Sequence, residues 1–144
     1  MKRSFKTIRV REVMTTTLVT VSPEDSLQHA LALLDKYQVH ELPVVAPQGR
    51  LIGIVTSGDL KLMTPVYPLV PDQQEIRQAL RELKVAVAMT LEPVVVSPDA
   101  TLLSATKQLL DRRIGALLVA EDEHLLGIIS VSDILRIVVE QQEA

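Results

Sequence analysis

The 144-residue chain contains no cysteine, and this absence removes several kinds of chemistry at once. Without thiols the protein can form no disulfide, no thiolate nucleophile and no cysteine-ligated metal site. Aromatic residues are almost as scarce, at 2%, so the core must be built from leucine, valine, isoleucine and alanine. Proteins that bind single-stranded nucleic acid stack bases on aromatic rings, and this chain offers only Phe5, Tyr37 and Tyr67 for that purpose.

The chain also lacks a strong charge of one sign and any long apolar run. Its 15 basic and 18 acidic residues leave a net charge of -3, which gives no electrostatic reason to bind nucleic acid. No apolar stretch approaches the roughly 18 residues that span a bilayer. The basic residues near Met1 are not followed by the apolar segment of a secretory signal. We therefore expect a soluble, cytoplasmic protein that contacts neither membranes nor nucleic acid.

Catalytic and metal-binding patterns are missing as well. The three histidines, His29, His40 and His124, do not have the spacing of metal ligands. With only five glycines, the chain has no nucleophile elbow, phosphate-binding loop or dinucleotide fingerprint. No nucleophile, base and orienting group can be assembled. We expect no enzyme activity, no metal and no required cofactor.

The dominant positive feature is an internal repeat. The dipeptide Met14-Thr15 recurs as Met89-Thr90 at an offset of 75, and further matches keep that register. One residue is then dropped, after which the offset is 74. The longer matching segments are Val21-Ser22-Pro23 with Val96-Ser97-Pro98, and Leu51-Ile52-Gly53-Ile54 with Leu125-Leu126-Gly127-Ile128. Such persistence predicts two copies of one structural unit.

Each copy has the pattern strand, helix, strand, strand, helix. Strands are predicted at residues 18–21, 41–45 and 51–56 of copy one, and at 93–96, 116–120 and 125–130 of copy two. The first helix of each copy carries an apolar face with helical spacing. It begins either at the Ser-Pro pairs or at the later hydroxyls, Ser26 and Thr101. The second helix begins near Asp59 and Asp133.

We place copy one at residues 8–62, a linker at 63–84 and copy two at 85–140. Pro65, Pro68 and Pro71 predict a stiff loop in the linker. Asp72 and Glu75 then form a plausible capping box for a short amphipathic helix. That helix either packs on the body of the protein or docks a partner.

The chain closely resembles the CBS-domain family in the motifs that its two copies share, from Met14-Thr15 to Asp59 and from Met89-Thr90 to Asp133. The resemblance covers about residues 10–138 as a stand-alone tandem pair, or Bateman module. It implies an α/β (α+β) fold in which two β-α-β-β-α motifs are related by a pseudo-twofold axis and packed sheet to sheet. It also implies a regulatory role, in which an adenosine derivative binds in clefts between the motifs, the pair forms a homodimer, and a separate protein is the regulated partner. The ligands that the resemblance implies are AMP, adenosine, ADP, ATP and S-adenosylmethionine.

The resemblance places ribose and phosphate contacts at Thr56 and Asp59 in one cleft, and at Ser130 and Asp133 in the other. The physics agrees, because a carboxylate is favoured at a helix start and can accept hydrogen bonds from a ribose diol. Helix-start amides can also bind phosphate. The structural alternative is that all four residues only cap helices.

The resemblance further implies an adenine pocket between the residues after each Met-Thr and those leading into the next strand. The pocket residues are Thr16, Thr20, Val39, His40 and Pro43 in copy one, and Leu91, Val95, Ile114 and Ala116 in copy two. Relatives that bind nucleotides tightly often place His-Arg before that strand, whereas this chain has His40-Glu41 and Gly115-Ala116. A carboxylate there repels phosphate, which favours AMP, adenosine or the cationic S-adenosylmethionine over ATP.

Two alternatives stay open at this stage. The basic start, with Lys2, Arg3, Lys6, Arg9 and Arg11, is interpreted as a frayed, solvated segment, or else as a contact for phosphate or an acidic partner. The whole chain is interpreted as an adenosyl sensor, or else as a structural dimer module with vestigial pockets.

Overall fold

The computed structural model describes residues 2–63 and 73–144 and divides the chain into two compact units. The copy-one unit is Val19–Pro93, and the copy-two unit combines Met1–Leu18 with Val94–Ala144. The start of each copy, with its Met-Thr pair, thus belongs to the unit built around the other copy.

Helices and strands alternate as expected for a mixed α/β chain. In chain order the elements are α1 (Val10–Val13), α2 (Leu27–Tyr37), β1 (Glu41–Val45), β2 (Leu51–Thr56), α3 (Ser57–Met63), α4 (Gln73–Glu82), β3 (Thr90–Leu91), β4 (Val95–Val96), α5 (Leu102–Arg112), β5 (Ala116–Glu121), β6 (His124–Ser130) and α6 (Val131–Glu143). The predicted strands at 41–45 and 51–56 are confirmed to the residue. No helix among the described residues has both the length and the apolarity to cross a membrane.

Each unit contains one small sheet. In the copy-one unit, β1 pairs with β2 and β2 with β3, all antiparallel. In the copy-two unit, β4 runs parallel to β5, which is antiparallel to β6. The strand predicted at 18–21 is wrong in extent, because only Val21 pairs, as a single bridge to Val44. Two hydrogen bonds hold Val21, one to the Pro43 carbonyl and one from the Val45 amide, and no regular ladder extends from them.

The structure settles where the first helix of each copy begins. The Ser26 hydroxyl accepts a hydrogen bond from the His29 amide at 3.1 Å, and the Thr101 hydroxyl accepts one from the Ser104 amide at 3.0 Å. Both residues are therefore N-caps, which satisfy amides that the helix itself leaves unpaired. The earlier Ser-Pro pairs lie in the turns that precede these caps.

The basic start of the chain is packed into the copy-two unit, so the prediction of a frayed segment was wrong. Ile8 and Val10 are buried in its core, and Phe5 packs against them. The amides of Leu102 and Leu103, at the start of α5, donate to the carbonyls of Ile8 and Phe5 at 2.8 and 2.9 Å. The segment therefore completes the hydrogen bonding of a helix as well as filling a core.

In the copy-one unit, the linker helix α4 and the residue that follows it take the role that the start segment has in the copy-two unit. Leu80 and Leu83 pack on its core, and the Leu83 carbonyl accepts a hydrogen bond from the Leu27 amide at 2.9 Å. Leu83 lies 75 residues after Ile8, so the structural repeat extends further back than the sequence matches. The packed interpretation of α4 is favoured. The proline loop and the Asp72 cap lie outside the described residues.

In each unit, a strand glycine packs closely against a Met-Thr pair. A side chain at Gly53 would place its Cβ 2.6 Å from the Thr90 carbonyl oxygen, and one at Gly127 would place it 2.8 Å from that of Thr15. Thr15 also exchanges two backbone hydrogen bonds with Ile128, at 2.8 and 3.0 Å. The close approach that glycine permits brings Thr15 to the end of β6, next to the turn before α6.

Candidate ligand-binding site

The turn between β2 and α3 in the copy-one unit holds Thr56 and Asp59 in reciprocal hydrogen bonds. The Thr56 amide donates to Oδ2 of Asp59 at 2.9 Å, and the Asp59 amide donates to the Thr56 hydroxyl at 3.0 Å. This is the geometry of a capping box, with a carboxylate where the helix dipole favours negative charge. Asp59 is half-buried, and its Oδ1 accepts no hydrogen bond from the part of the chain that the structure describes.

The turn between β6 and α6 has the same backbone plan but a different environment around its carboxylate. Oδ2 of Asp133 accepts from the Ser130 amide at 2.9 Å and from the Ser130 hydroxyl at 3.0 Å. Its Oδ1 accepts from the Arg136 guanidinium at 3.0 Å and from the Thr15 hydroxyl at 3.3 Å. Asp133 is only 3% exposed, so its charge is enclosed and hydrogen-bonded on both oxygens.

In the copy-one unit, the predicted adenine-pocket residues are spread over several environments. The His40 carbonyl accepts from the Ser57 amide at 2.9 Å, so the residues before β1 adjoin the Thr56–Asp59 turn. Val39 and Thr20 are half-buried, Pro43 is buried in the sheet and Leu91 is exposed. The backbone of this stretch, more than its side chains, borders the turn.

The copy-two unit repeats this arrangement. The Gly115 carbonyl accepts from the Val131 amide at 3.0 Å, and Ala116 lies opposite Ser130 in the sheet. Ile114 is half-buried, whereas Val95 and Thr16 are exposed. The grouping of residues 16–20 with 39–43 falls across the two units, because Thr16 belongs to one and Thr20 to the other.

Glu41 adds a second carboxylate to the copy-one site. It lies opposite Thr56 on β1 and is half-buried. Burial raises the pKa of Glu41, and the charge of neighbouring His40 acts in the opposite direction. Since Ala116 occupies the matching position in copy two, only the copy-one site carries this charge.

The arginines near the start of the chain have partners inside their own unit. Arg3 pairs with Glu12 at 2.6 Å, and Arg11 pairs with Asp99 at 2.7 Å. The Arg9 guanidinium donates to the Asp99 carbonyl at 3.2 Å. Hydrogen bonding from Arg3 lowers the pKa of Glu12. These contacts favour a structural role for the segment, although exposed pairs of this kind stabilise a protein little.

Sequence reasoning missed two residues that contact a site carboxylate, Thr15 and Arg136. Arg136 could have been found, because it follows Asp133 by three residues on one helix, a spacing that brings side chains together. Thr15 could not, because it reaches Asp133 only through the packing of the start segment on Gly127. Among the described residues there is no group of three or more histidines and carboxylates that could hold a metal ion.

Comparison with known proteins also finds two copies of one unit in this chain. The family model of the CBS domain matches residues 10–62 and again residues 84–140. A CBS domain-containing protein of Dictyostelium discoideum is 32% identical over 138 residues, which is 94% of either chain. The gamma-3 subunit of human 5'-AMP-activated protein kinase is 31% identical over 127 residues, or 86% of this chain, and the match spans 26% of that subunit.

Solved structures give the same assignment. CBSX2 is a CBS-pair protein of Arabidopsis thaliana. Its crystal structure in complex with AMP superposes on this chain with a TM-score of 0.79 at 28% identity. The superposition covers 94% of this chain and 98% of that one. The predicted fold class and the predicted tandem repeat are both confirmed. The chain belongs to the CBS-domain family and carries two copies of the domain in tandem.

Proposed function

We propose that this protein is a non-catalytic regulatory module that binds an adenosine derivative at a strand-to-helix turn. The observation that carries the proposal is the Asp59 carboxylate. It stands at a helix start, is half-buried, and has an oxygen that no described residue occupies. A carboxylate in this position can accept hydrogen bonds from the two hydroxyls of a ribose. The regulated target is then a separate protein or another part of the same assembly.

The relatives support the adenosyl part of this proposal. CBSX2 was crystallised with AMP, and the kinase subunit belongs to an AMP-activated enzyme. Both are more than a quarter identical to this chain over most of its length. Thr56 and Asp59, with the backbone from Val39 to Glu41, are the groups that we propose for ligand contact. Ser130, Asp133 and the residues from Ile114 to Ala116 correspond to them in copy two.

Glu41 favours ligands with few phosphates or with positive charge. Its carboxylate lies opposite Thr56, beside the turn where a phosphate would meet helix-start amides. Ionised Glu41 repels a polyphosphate more strongly than a monophosphate, and it attracts a sulfonium. AMP, adenosine and S-adenosylmethionine are therefore preferred over ADP and ATP in this proposal.

Thermal unfolding with and without ligand tests the proposal. A ligand that binds only the native state stabilises it by about 2.7 kcal/mol at a concentration roughly 100 times its Kd. We expect a higher midpoint with AMP or S-adenosylmethionine, a smaller rise with ATP, and none with guanosine monophosphate as the control. An unchanged midpoint with every adenosyl compound at millimolar concentration contradicts adenosyl binding.

A second candidate function is a structural or interaction module that acts through dimerisation. The supporting observation is a stripe of exposed apolar residues on α6. Its members are Val131, Leu135, Val138 and Val139. Their helical spacing puts them on one side of the helix, as in a helix that packs against a partner.

The homodimer is tested separately from ligand binding. We expect sedimentation to report a dimer and the substitution Leu135→Glu to yield a monomer, since a charge cannot be buried in an apolar interface without cost. Lys107→Glu, on the exposed side of α5, is the matched control. A dimer that shows no adenosyl-dependent midpoint shift favours the second function over the first.

A further inference from the structure

The two site carboxylates differ in how many hydrogen bonds they already accept. An ionised carboxylate offers about four lone-pair positions. Asp133 accepts four bonds, two from Ser130 and one each from Arg136 and Thr15. From the described residues, Asp59 accepts one such bond, from the Thr56 amide. A ribose diol that donates two hydrogen bonds finds acceptor positions at Asp59 and none at Asp133.

The repeat identifies the one donor to Asp133 for which copy one has no equivalent polar residue. At the offset of 74, Arg136 corresponds to Leu62, and Ser130 and Asp133 correspond to Thr56 and Asp59. Leu62 is 87% exposed and has no polar group to donate. Thr15 and Ser130 have hydroxyl counterparts in Thr90 and Thr56, but among the described residues neither counterpart hydroxyl donates to Asp59. The cation on α6 is the feature that copy one lacks.

We propose that Arg136, assisted by Thr15, occupies the carboxylate of Asp133 and closes the copy-two site, so that one ligand binds per chain, at Asp59. The inference rests on the proposed function and names the turn that performs it. The guanidinium bond joins two oppositely charged groups, whereas a ribose hydroxyl brings no charge of its own, so the hydroxyl does not displace the guanidinium readily. The enclosure of Asp133 further keeps water and ligand from its oxygens.

Calorimetric titration with AMP tests this assignment through the number of sites. Wild-type protein binds one AMP per chain, and Asp59→Ala abolishes that binding. The double variant Thr15→Val/Arg136→Leu, which removes two of the four donors to Asp133, raises the stoichiometry to two. Adding Asp133→Ala to that variant returns it to one. Lys107→Leu removes an exposed cation from α5 of the same unit and is the matched charge control, with binding unchanged.

The reciprocal substitution keeps the test independent of any loss of stability in copy two. Leu62→Arg places a guanidinium three residues after Asp59, where Arg136 stands relative to Asp133. Because Leu62 is exposed, this change leaves the core untouched. It should weaken AMP binding about tenfold, which corresponds to about 1.4 kcal/mol.

The contact itself can be measured without ligand. In nitrogen-15 NMR spectra, the Arg136 guanidinium should rotate slowly and show resolved Nη protons that merge in Asp133→Ala. Fast rotation in the wild type overturns the closed site. So do two AMP molecules per wild-type chain, or weaker binding in Arg136→Leu, which would make Arg136 a phosphate contact. Absence of binding of AMP, adenosine and S-adenosylmethionine in every variant overturns the proposed function itself, and the single-site inference falls with it, whatever the NMR result.

Discussion

At the scale of single residues, the chemistry of the proposed ligand site depends on which carboxylates can still accept hydrogen bonds. Asp59 and Asp133 occupy equivalent positions, yet Asp59 is half-buried with one oxygen that accepts no hydrogen bond from the described residues, and Asp133 is enclosed by donors. Glu41 adds a third carboxylate beside Asp59, and its burial raises its pKa. The capacity of each carboxylate to accept further hydrogen bonds is therefore set by neighbouring donors as much as by the acidic residue itself.

The raised pKa of Glu41 predicts a pH-dependent effect of Glu41→Gln on stability. A folded-state pKa above the unfolded value of 4.5 means that the folded chain binds more protons in the window between the two. The corresponding stability is present below the unfolded pKa and is lost as pH rises through the folded pKa. Removing the ionisable group should thus stabilise the protein near neutral pH, by about 0.5 kcal/mol, and not in acid.

Urea unfolding at about pH 4 and about pH 7 measures this effect. Glu121→Gln is the matched control, because Glu121 is exposed at the far end of β5. A gain for Glu41→Gln that is equal at both pH values would show that the burial of Glu41 does not govern its ionisation.

At the scale of elements, one glycine on the third predicted strand of each copy decides how closely a neighbouring segment approaches. Gly53 on β2 receives Thr90, and Gly127 on β6 receives Met14 and Thr15. The obstructing atoms include backbone carbonyl oxygens, which cannot move without disturbing the strand. These glycines are thus required by contact and not by an unusual backbone angle.

Gly53→Ala and Gly127→Ala should each destabilise the protein by roughly 1–3 kcal/mol, the usual cost of overpacking. Chemical denaturation of the full chain measures the loss. Gly115→Ala is the matched control, since an added Cβ there meets nothing within 4 Å. If all three substitutions had the same small effect, the close approach of the Met-Thr pairs would not be a feature of the native state.

At the scale of the whole molecule, each unit contains the start of the opposite copy. Val10 and Val85 lie 75 residues apart, and both are fully buried, one in each unit. The order of segments along the chain therefore differs from their grouping in space. A consequence is that neither copy, cut at the repeat boundary, retains its complete core.

Deletion of residues 2–9 should destabilise the copy-two unit by at least about 3 kcal/mol. It removes buried Ile8 and the carbonyls that receive the Leu102 and Leu103 amides. Amide hydrogen exchange should then show lost protection at the start of α5. The double substitution Lys2→Ala/Lys6→Ala removes charge from the same segment and should leave that protection intact. Equal protection in the deletion variant and the wild type would restore the interpretation of a frayed start.

Much of the fold was accessible from sequence because its signals are local. The apolar face of α2 and the β-branched runs of β1 and β2 have the correct periods, and the repeat doubled every such signal. The choice between Ser22 and Ser26 as helix cap was not accessible, because both have a hydroxyl suited to the task. The bridge at Val21 was over-predicted as a strand, since residues 18–20 have strand-like composition but no ladder partner.

By itself, the sequence determined the family, the two copies and the positions of Thr56, Asp59, Ser130 and Asp133. Each of these depends on residue type and spacing along the chain. Only the tertiary structure decided that the start segment packs on copy two and that Asp133 is enclosed by Arg136 and Thr15. The reason is that the availability of a carboxylate depends on which donors the fold brings to its oxygens, and the Thr15–Asp133 bond joins residues 118 positions apart.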